Sequence, residues 1–234
     1  RRQFLMINKD TQVCISMAAK AGNFGCSVHN AGFKKMSLNY IYKSFSVSGD
    51  SLEQAINGMR AFGIRGAGIT MPHKIKAIDY VDHVSEEVKE IGATNTLVND
   101  NGFITCYNTD AYSSYEVLSR HSDRGSVFIL GNGGYSKAVQ YSANRIFDQV
   151  NVITREDWNK IPQITNAVIY NCTPVRNLPI DESSVFIDCS VETPSGQELA
   201  LLQASKQFEI YTGVKFPLQY VKDNFTQILM ETTS

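Results

Sequence analysis

Short apolar runs alternate along the chain with segments whose apolar positions recur at helical spacing. Between Gln12 and Thr105 the runs "QVCISMAA", "YIYKSF", "RGAGIT" and "TNTLVND" read as strands. Among them lie helical segments near Ser27 to Met36, in "DSLEQAINGMRAFG" and in "VSEEVKEIG". In the second of these, Leu52, Ala55, Ile56 and Met59 fall at i, i+3, i+4 and i+7. Asp50 or Ser51 can cap its start, and Gly63 ends it. The alternation predicts an α/β domain with a largely parallel sheet.

A second unit opens after "NTDAYSSYEVLSRHSDRG". "SVFIL", Ser126 to Leu130, is a buried-strand run, "GNGGYSKAVQYSANRIF" turns into a helix, and "VNVIT" is the next strand, which makes a βαβ unit. Two more strand-like runs follow, "AVIYNC" and "SVFIDCS", then helical stretches at Gln197 to Tyr211 and Leu218 to Met230. The expected fold class is therefore α/β, and 234 residues suffice for one large domain or two modest ones.

Charge narrows the partners. With 22 basic and 23 acidic side chains the net charge is -1, which gives no reason to expect nucleic acid or an anionic membrane. No basic stripe runs among the aromatic residues, so a base-stacking platform is not expected either. The expected ligand is a small molecule. The five cysteines are scattered without a C-x-x-C pair, as reduced thiols of a cytoplasmic protein would be. His29 and His73 lack partners at metal-ligand spacing, and no metal is expected. No apolar run approaches the ~18 residues of a membrane span, and the apolar part of "RRQFLMINKD" is too short for a signal peptide. The chain opens on Arg1, as a trimmed chain or a piece of a longer one would.

The strongest chemical signal is the strand-to-helix loop Gly131, Asn132, Gly133, Gly134, Tyr135 and Ser136. Glycines there permit a tight turn and let backbone N–H groups and a helix N-terminus approach a pyrophosphate. Ser136 stands where the full dinucleotide fingerprint has its third small residue. At the end of the following strand come Thr154, Arg155 and Glu156. A basic residue at this point accepts a ribose 2′-phosphate and an acidic one binds the 2′-hydroxyl. Arg155 points to NADP, and the adjacent Glu156 leaves NAD as the second choice. Taken singly, Asn95 and Asp110 are turn residues that satisfy backbone groups, and Lys74 is an exposed charge after a strand.

In chain order, however, "HN" at His29–Asn30, "ITMPHK", "GATNTLV", "YNTD" and "LGNGGYSKAV" resemble the shikimate dehydrogenase family across most of the chain. The resemblance implies an N-terminal α/β substrate domain, residues 1–109 completed by 200–234, and a Rossmann-like NADP-binding domain, residues 110–199, with a cleft between them. It implies reversible oxidation of the ring hydroxyl of shikimate to 3-dehydroshikimate, with hydride passing to NADP. Lys74 matches the family's catalytic lysine and Asp110 its partner. Thr70, Asn95 and Gln203 match substrate-binding positions. Asn171 and Thr173, in "NCTPV", match a strand-end loop near the nicotinamide. The residue types suit the reaction, since hydride leaves carbon only as the hydroxyl loses its proton. An ordinary lysine, with a pKa of ~10.4, is an ammonium suited to donating that proton in the reverse direction.

Two departures stand out. Family members hold the shikimate carboxylate with a Ser-x-Ser pair, and this chain has Asn23 and Gly25 at the matching positions, with Ser27 nearby. This resembles the shikimate-dehydrogenase-like paralogues, and it opens the substrate to related cyclic hydroxy acids such as quinate. The run into "QELALLQASKQF" is also short, as if a helix and a strand were missing between Pro194 and Ser195. The expectation is a monomeric or homodimeric enzyme; its rival is a non-catalytic small-molecule sensor that keeps the fold.

Overall fold

The computed structural model describes residues 7–231. Most of the basic N-terminal stretch and the last three residues lie outside the described residues. The chain divides into two compact units. Among the described residues, one takes the chain up to Lys89, Thr94–Tyr107 and everything from Ala204 on; the other takes Glu90–Ala93 and Asn108–Gln203.

In chain order the first unit holds β1 (Gln12–Ala18), α1 (Phe24–Lys35), β2 (Tyr40–Ser46), α2 (Leu52–Phe62), β3 (Gly66–Ile69), β4 (His83–Val84), α3 (Glu86–Ile91, whose end passes into the second unit), β5 (Thr96–Asp100) and β6 (Phe103–Tyr107). These strands form a six-stranded sheet in the order β2-β1-β3-β5-β6-β4. Leu52, Ile56 and Met59 of α2 are fully buried and pack with Ile15, Met17, Ile69 and Leu97. Each such side chain is worth about 1.5–3 kcal/mol of apolar burial. Gly63 closes α2 in the left-handed conformation at φ 63°, as its sequence position predicts. At the other end, the Ser51 side chain makes no capping hydrogen bond; the chain enters α2 through a 3-10 turn at Gly49–Ser51.

The sheet is mixed rather than largely parallel. β1 runs parallel to β2 and β3, and β4 parallel to β6, but β5 is antiparallel to both its neighbours. The cause is a hairpin at Asn101 and Gly102, with φ of 55° and 95°. Positive φ at both central residues is the turn whose twist suits a tight hairpin. Because β5 is reversed, its first residues lie beside the C-terminal end of β3, with Gly68 opposite Thr96.

The second unit holds α4 (Thr109–Leu118), β7 (Ser126–Leu130), α5 (Gly134–Ala143), β8 (Gln149–Ile153), β9 (Val168–Asn171) and β10 (Val185–Asp188). Its four strands are all parallel, in the order β10-β9-β7-β8. The chain moves from β7 to β8 on one side and then to β9 and β10 on the other, so the topology reverses at β7. Open sheets of this kind bind ligands outside the carboxyl ends of the strands at such a point. β10 is followed directly by α6 (Pro194–Thr212), which begins at Pro194 rather than near Gln197. The last helical stretch breaks at Asn224 into α7 (Leu218–Asp223) and α8 (Phe225–Met230). Among the described residues, no helix is long and apolar enough to cross a membrane.

Candidate functional site

In the first unit four of the predicted substrate residues, Asn23, Gly25, Thr70 and Asn95, lie at one end of the sheet, whereas Gln203 belongs to the second unit. α1 begins at Phe24 rather than near Ser27, so Asn23 stands at its N-cap and Gly25 in its first turn. Both follow the C-terminal end of β1. Ser27 is buried, and its hydroxyl and N–H both donate to the Asn23 carbonyl at 2.9 Å. A Cβ added to Gly25 would stand 3.0 Å from Cε1 of Tyr42, closer than such contacts normally allow. The Tyr42 ring therefore gives a physical reason for glycine here: a serine would press on it.

Thr70 and Lys74 lie in the turn after β3. Thr70 is exposed, its N–H donates to Met17 O at 3.1 Å, and its carbonyl accepts from His73 N–H at 2.9 Å. His73 is buried, and its Nε2 donates to Val47 O at 2.8 Å, which anchors the turn from beneath. Lys74 is half-buried, and its carbonyl accepts from Thr94 N–H at 2.8 Å. Asn95, next in the chain, is buried; its carbonyl accepts from Ile69 N–H at 2.7 Å and its N–H donates to Tyr107 O at 3.2 Å. Backbone bonds thus tie the "MPHK" turn to the "GATNT" block, two motifs separate in sequence.

Behind Asn95 lies a buried cluster that sequence reasoning did not assemble. Thr96 Oγ1 donates to Asn95 Oδ1 at 2.8 Å. Gln207 Nε2 donates to Thr96 Oγ1 and to Asn95 O, both at 3.0 Å. The remaining Gln207 oxygen, Oε1, sits 3.4 Å from His29 Nε2. His29 stacks on Tyr42 at 4.4 Å between ring centroids. Burial pushes the His29 imidazole down to about 4, opposed in part by the Gln207 contact, so the ring is neutral near pH 7. Burial likewise raises the Tyr42 phenol far above its ordinary range. The only sequence signal for Gln207 is its i+4 spacing from Gln203 on one helix.

In the second unit, Asn108 caps α4: its Oδ1 accepts from Asp110 N–H at 3.0 Å and Ala111 N–H at 3.3 Å, and its Nδ2 donates to Ala93 O at 2.8 Å. Asp110 is buried in the first turn of α4, where a carboxylate is favoured by the helix dipole. Thr109 Oγ1 lies 3.5 Å from Gln203 Oε1, and Gln203 Nε2 donates to Ala200 O at 3.1 Å.

The loops after β7, β8 and β9 converge on a cavity of about 300 Å³ lined by Gly131, Asn132, Gly133, Thr154, Arg155, Trp158, Cys172, Thr173 and Pro174. Gly131 has φ 100°, and a Cβ there would meet Thr173 Cγ2 at 2.9 Å. Gly133 caps α5, with nothing within 4 Å of where its Cβ would be. Ser136 is buried and its hydroxyl donates to Gly131 O at 2.6 Å, so the residue in the third glycine's place staples the loop. Gln140 Nε2 donates to Ser136 Oγ at 3.0 Å and to Asn132 Oδ1 at 3.3 Å. Tyr135 and Tyr170 share a 2.7 Å hydrogen bond, and burial holds both phenols neutral. Asn171 is fully buried; its Oδ1 accepts from Thr173 N–H and Oγ1, and its Nδ2 donates to Val175 O. Its side chain shapes the loop from inside.

Arg155 is exposed and makes no hydrogen bond or ion pair among the described residues. Trp158, which the sequence reading passed over, lines the same cavity, and its buried indole N–H has no hydrogen-bond partner among the described residues. Backbone N–H groups at the start of α5, open space above Gly133 and an unpaired guanidinium are a donor set that fits phosphate oxygens. No group of three or more His, Cys, Asp or Glu side chains is placed to hold a metal ion among the described residues.

Residues 24–97 match the family model of the shikimate dehydrogenase substrate binding domain. The chain is 32% identical to a shikimate dehydrogenase-like protein of Haemophilus influenzae, over 88% of this chain and 93% of that protein. It is 40% identical to the shikimate dehydrogenase (NADP+) of Caldanaerobacter subterraneus, over 83% of this chain and 89% of the relative. Among solved structures, a shikimate dehydrogenase in complex with NADP+ superimposes with a TM-score of 0.82 at 24% identity, covering 98% of each chain.

Proposed function

The chain belongs to the shikimate dehydrogenase family, a family of NADP-dependent oxidoreductases, and from that premise we propose that it oxidises a ring hydroxyl of shikimate, or of a related cyclic hydroxy acid such as quinate, with NADP as the acceptor. We assign the first unit to the substrate and the second to the nucleotide. One observation carries the reading of the substrate unit: Thr94 N–H on the Lys74 carbonyl, which fixes the lysine turn beside the start of the Asn95 strand.

NADP, when bound, supplies the hydride acceptor. Gly131 to Gly134 and the N-terminus of α5 would hold its phosphates, and Arg155 would be the residue to pair with a 2′-phosphate. In reduction the Lys74 ammonium gives its proton to the carbonyl oxygen, and in oxidation the neutral Lys74 amine takes the hydroxyl proton, with Asp110 as its acidic partner in the reaction. Asn95 and Thr70 hold substrate hydroxyls. Asn23 takes over at the carboxylate, where its amide can donate in place of a serine hydroxyl. A charge-assisted hydrogen bond there is worth ~1.5–3 kcal/mol, so the change of residues at 23 and 25 is enough to alter the preferred acid.

The test is a spectrophotometric screen of NADPH and NADH formation over shikimate, quinate and their analogues. Turnover of at least one such acid with NADP supports the proposal. Tight binding of an acid with no turnover on any of them would favour the sensor instead.

A further inference from the structure

We infer that Thr96 and Gln207 are positioning residues that fix the Asn95 carboxamide in one orientation, Oδ1 inward and Nδ2 presented as a donor, so that Asn95 can receive a substrate oxygen only as a hydrogen-bond acceptor. The inference rests on the proposal above that Asn95 holds a substrate hydroxyl. It follows from donor and acceptor bookkeeping along a buried chain.

Gln207 Nε2 lies 3.0 Å from a backbone carbonyl, Asn95 O, which can only accept. That contact assigns Nε2 as the donor and leaves Oε1 as the acceptor facing His29 Nε2, which must carry the ring proton. The second Nε2 hydrogen goes to Thr96 Oγ1 at 3.0 Å. Having accepted there, the Thr96 hydroxyl directs its own proton to Asn95 Oδ1 at 2.8 Å. Direction is thus passed from the Asn95 carbonyl through Gln207 and Thr96 to the Asn95 side chain, with His29 on the other atom of the Gln207 amide. His29, Thr96, Asn95 and Gln207 are all less than 5% exposed, so water does not compete for these bonds. Reversing the Asn95 amide would set its Nδ2 against Thr96 Oγ1 and take from that hydroxyl's proton the acceptor it has in Asn95 Oδ1. Burying an unsatisfied donor in this way is what proteins avoid.

The experiment compares wild type with Thr96→Val, Thr96→Ser, Gln207→Met and the Val/Met double variant. The first readout is the side-chain amide of Asn95 in protein carrying isotope-labelled asparagine, assigned by its loss in Asn95→Asp. In wild type and Thr96→Ser it should give two resolved protons exchanging slowly with water; in Thr96→Val and Gln207→Met exchange should accelerate. The second readout is kinetic. Thr96→Val should raise KM for the cyclic hydroxy acid about tenfold, the size of one lost hydrogen bond, with KM for NADP unchanged. Thr96→Ser should restore it, and the double variant should be no worse than the worse single one, because the two residues act in one chain. An unchanged Asn95 amide in Thr96→Val, an unchanged KM, or no rescue by serine would each overturn the inference. If Thr96→Val does not fold, Gln207→Met carries the same comparison. A wild type that turns over none of the acids defeats the proposed function, while the amide readout still decides the orientation of Asn95.

Discussion

Arg155 stands at the end of β8 with its guanidinium exposed and unpaired among the described residues, in the wall of the cavity it shares with Gly131 and Thr173. A 2′-phosphate would give it a charge-assisted partner that a 2′-hydroxyl cannot. Arg155→Gln should therefore weaken NADP about tenfold or more and leave NAD within twofold, as read by fluorescence titration of both cofactors. Equal losses for the two would show that Arg155 does not read the 2′-phosphate. The sequence makes this residue visible because it is local, one step past a strand. Gly25 is a different case. Its lack of a side chain is plain in the sequence, but the reason, the Tyr42 ring 3.0 Å from where a Cβ would be, comes from a contact between residues on α1 and β2. The sequence leaves His29 as either packed or exposed, because the partners that bury it, Gln207 and Phe208, lie far away in the chain.

At the scale of elements, the turn after β7 matters most. Gly131 at φ 100° is beyond what L-residues normally adopt, and Thr173 closes the space a Cβ would need. Gly131→Ala should cost about 1–3 kcal/mol of stability and weaken NADP binding, seen as a lower urea midpoint and a weaker titration. Unchanged affinity would mean that the loop's shape does not matter to the nucleotide. This loop was legible because strand, glycines and helix are contiguous, and so was α2, whose apolar spacing survives as Leu52, Ile56 and Met59 in the core. The reversal of β5 is not carried by the apolar pattern of "TNTLVND", which marks a strand but is silent on direction; the signal for it is Asn101–Gly102, a strong hairpin pair. α1 begins before its helical pattern does, because Phe24, Gly25 and Cys26 carry neither a strong cap nor helical spacing.

For the molecule as a whole, the buried neutral His29 links stability to acid. Unfolded, a histidine titrates near 6.5, whereas burial in the fold brings His29 down to about 4, so below pH 6.5 the unfolded chain binds the proton that the folded chain refuses. The favourable contribution is complete above about 6.5 and is lost as the pH falls toward 4, by about 3 kcal/mol at the end of that window. His29→Gln should flatten that part of the curve of urea midpoint against pH; an equal slope in both proteins would assign the loss to other groups. The proposed reaction depends on Lys74, whose turn is held by His73 from below and by Thr94 from the side. The most direct test compares NADPH formation by wild type and Lys74→Ala at saturating NADP, with NADP affinity titrated in parallel. In Lys74→Ala kcat should fall by about 10²–10⁴ with NADP affinity unchanged; undiminished turnover would overturn the role proposed for Lys74.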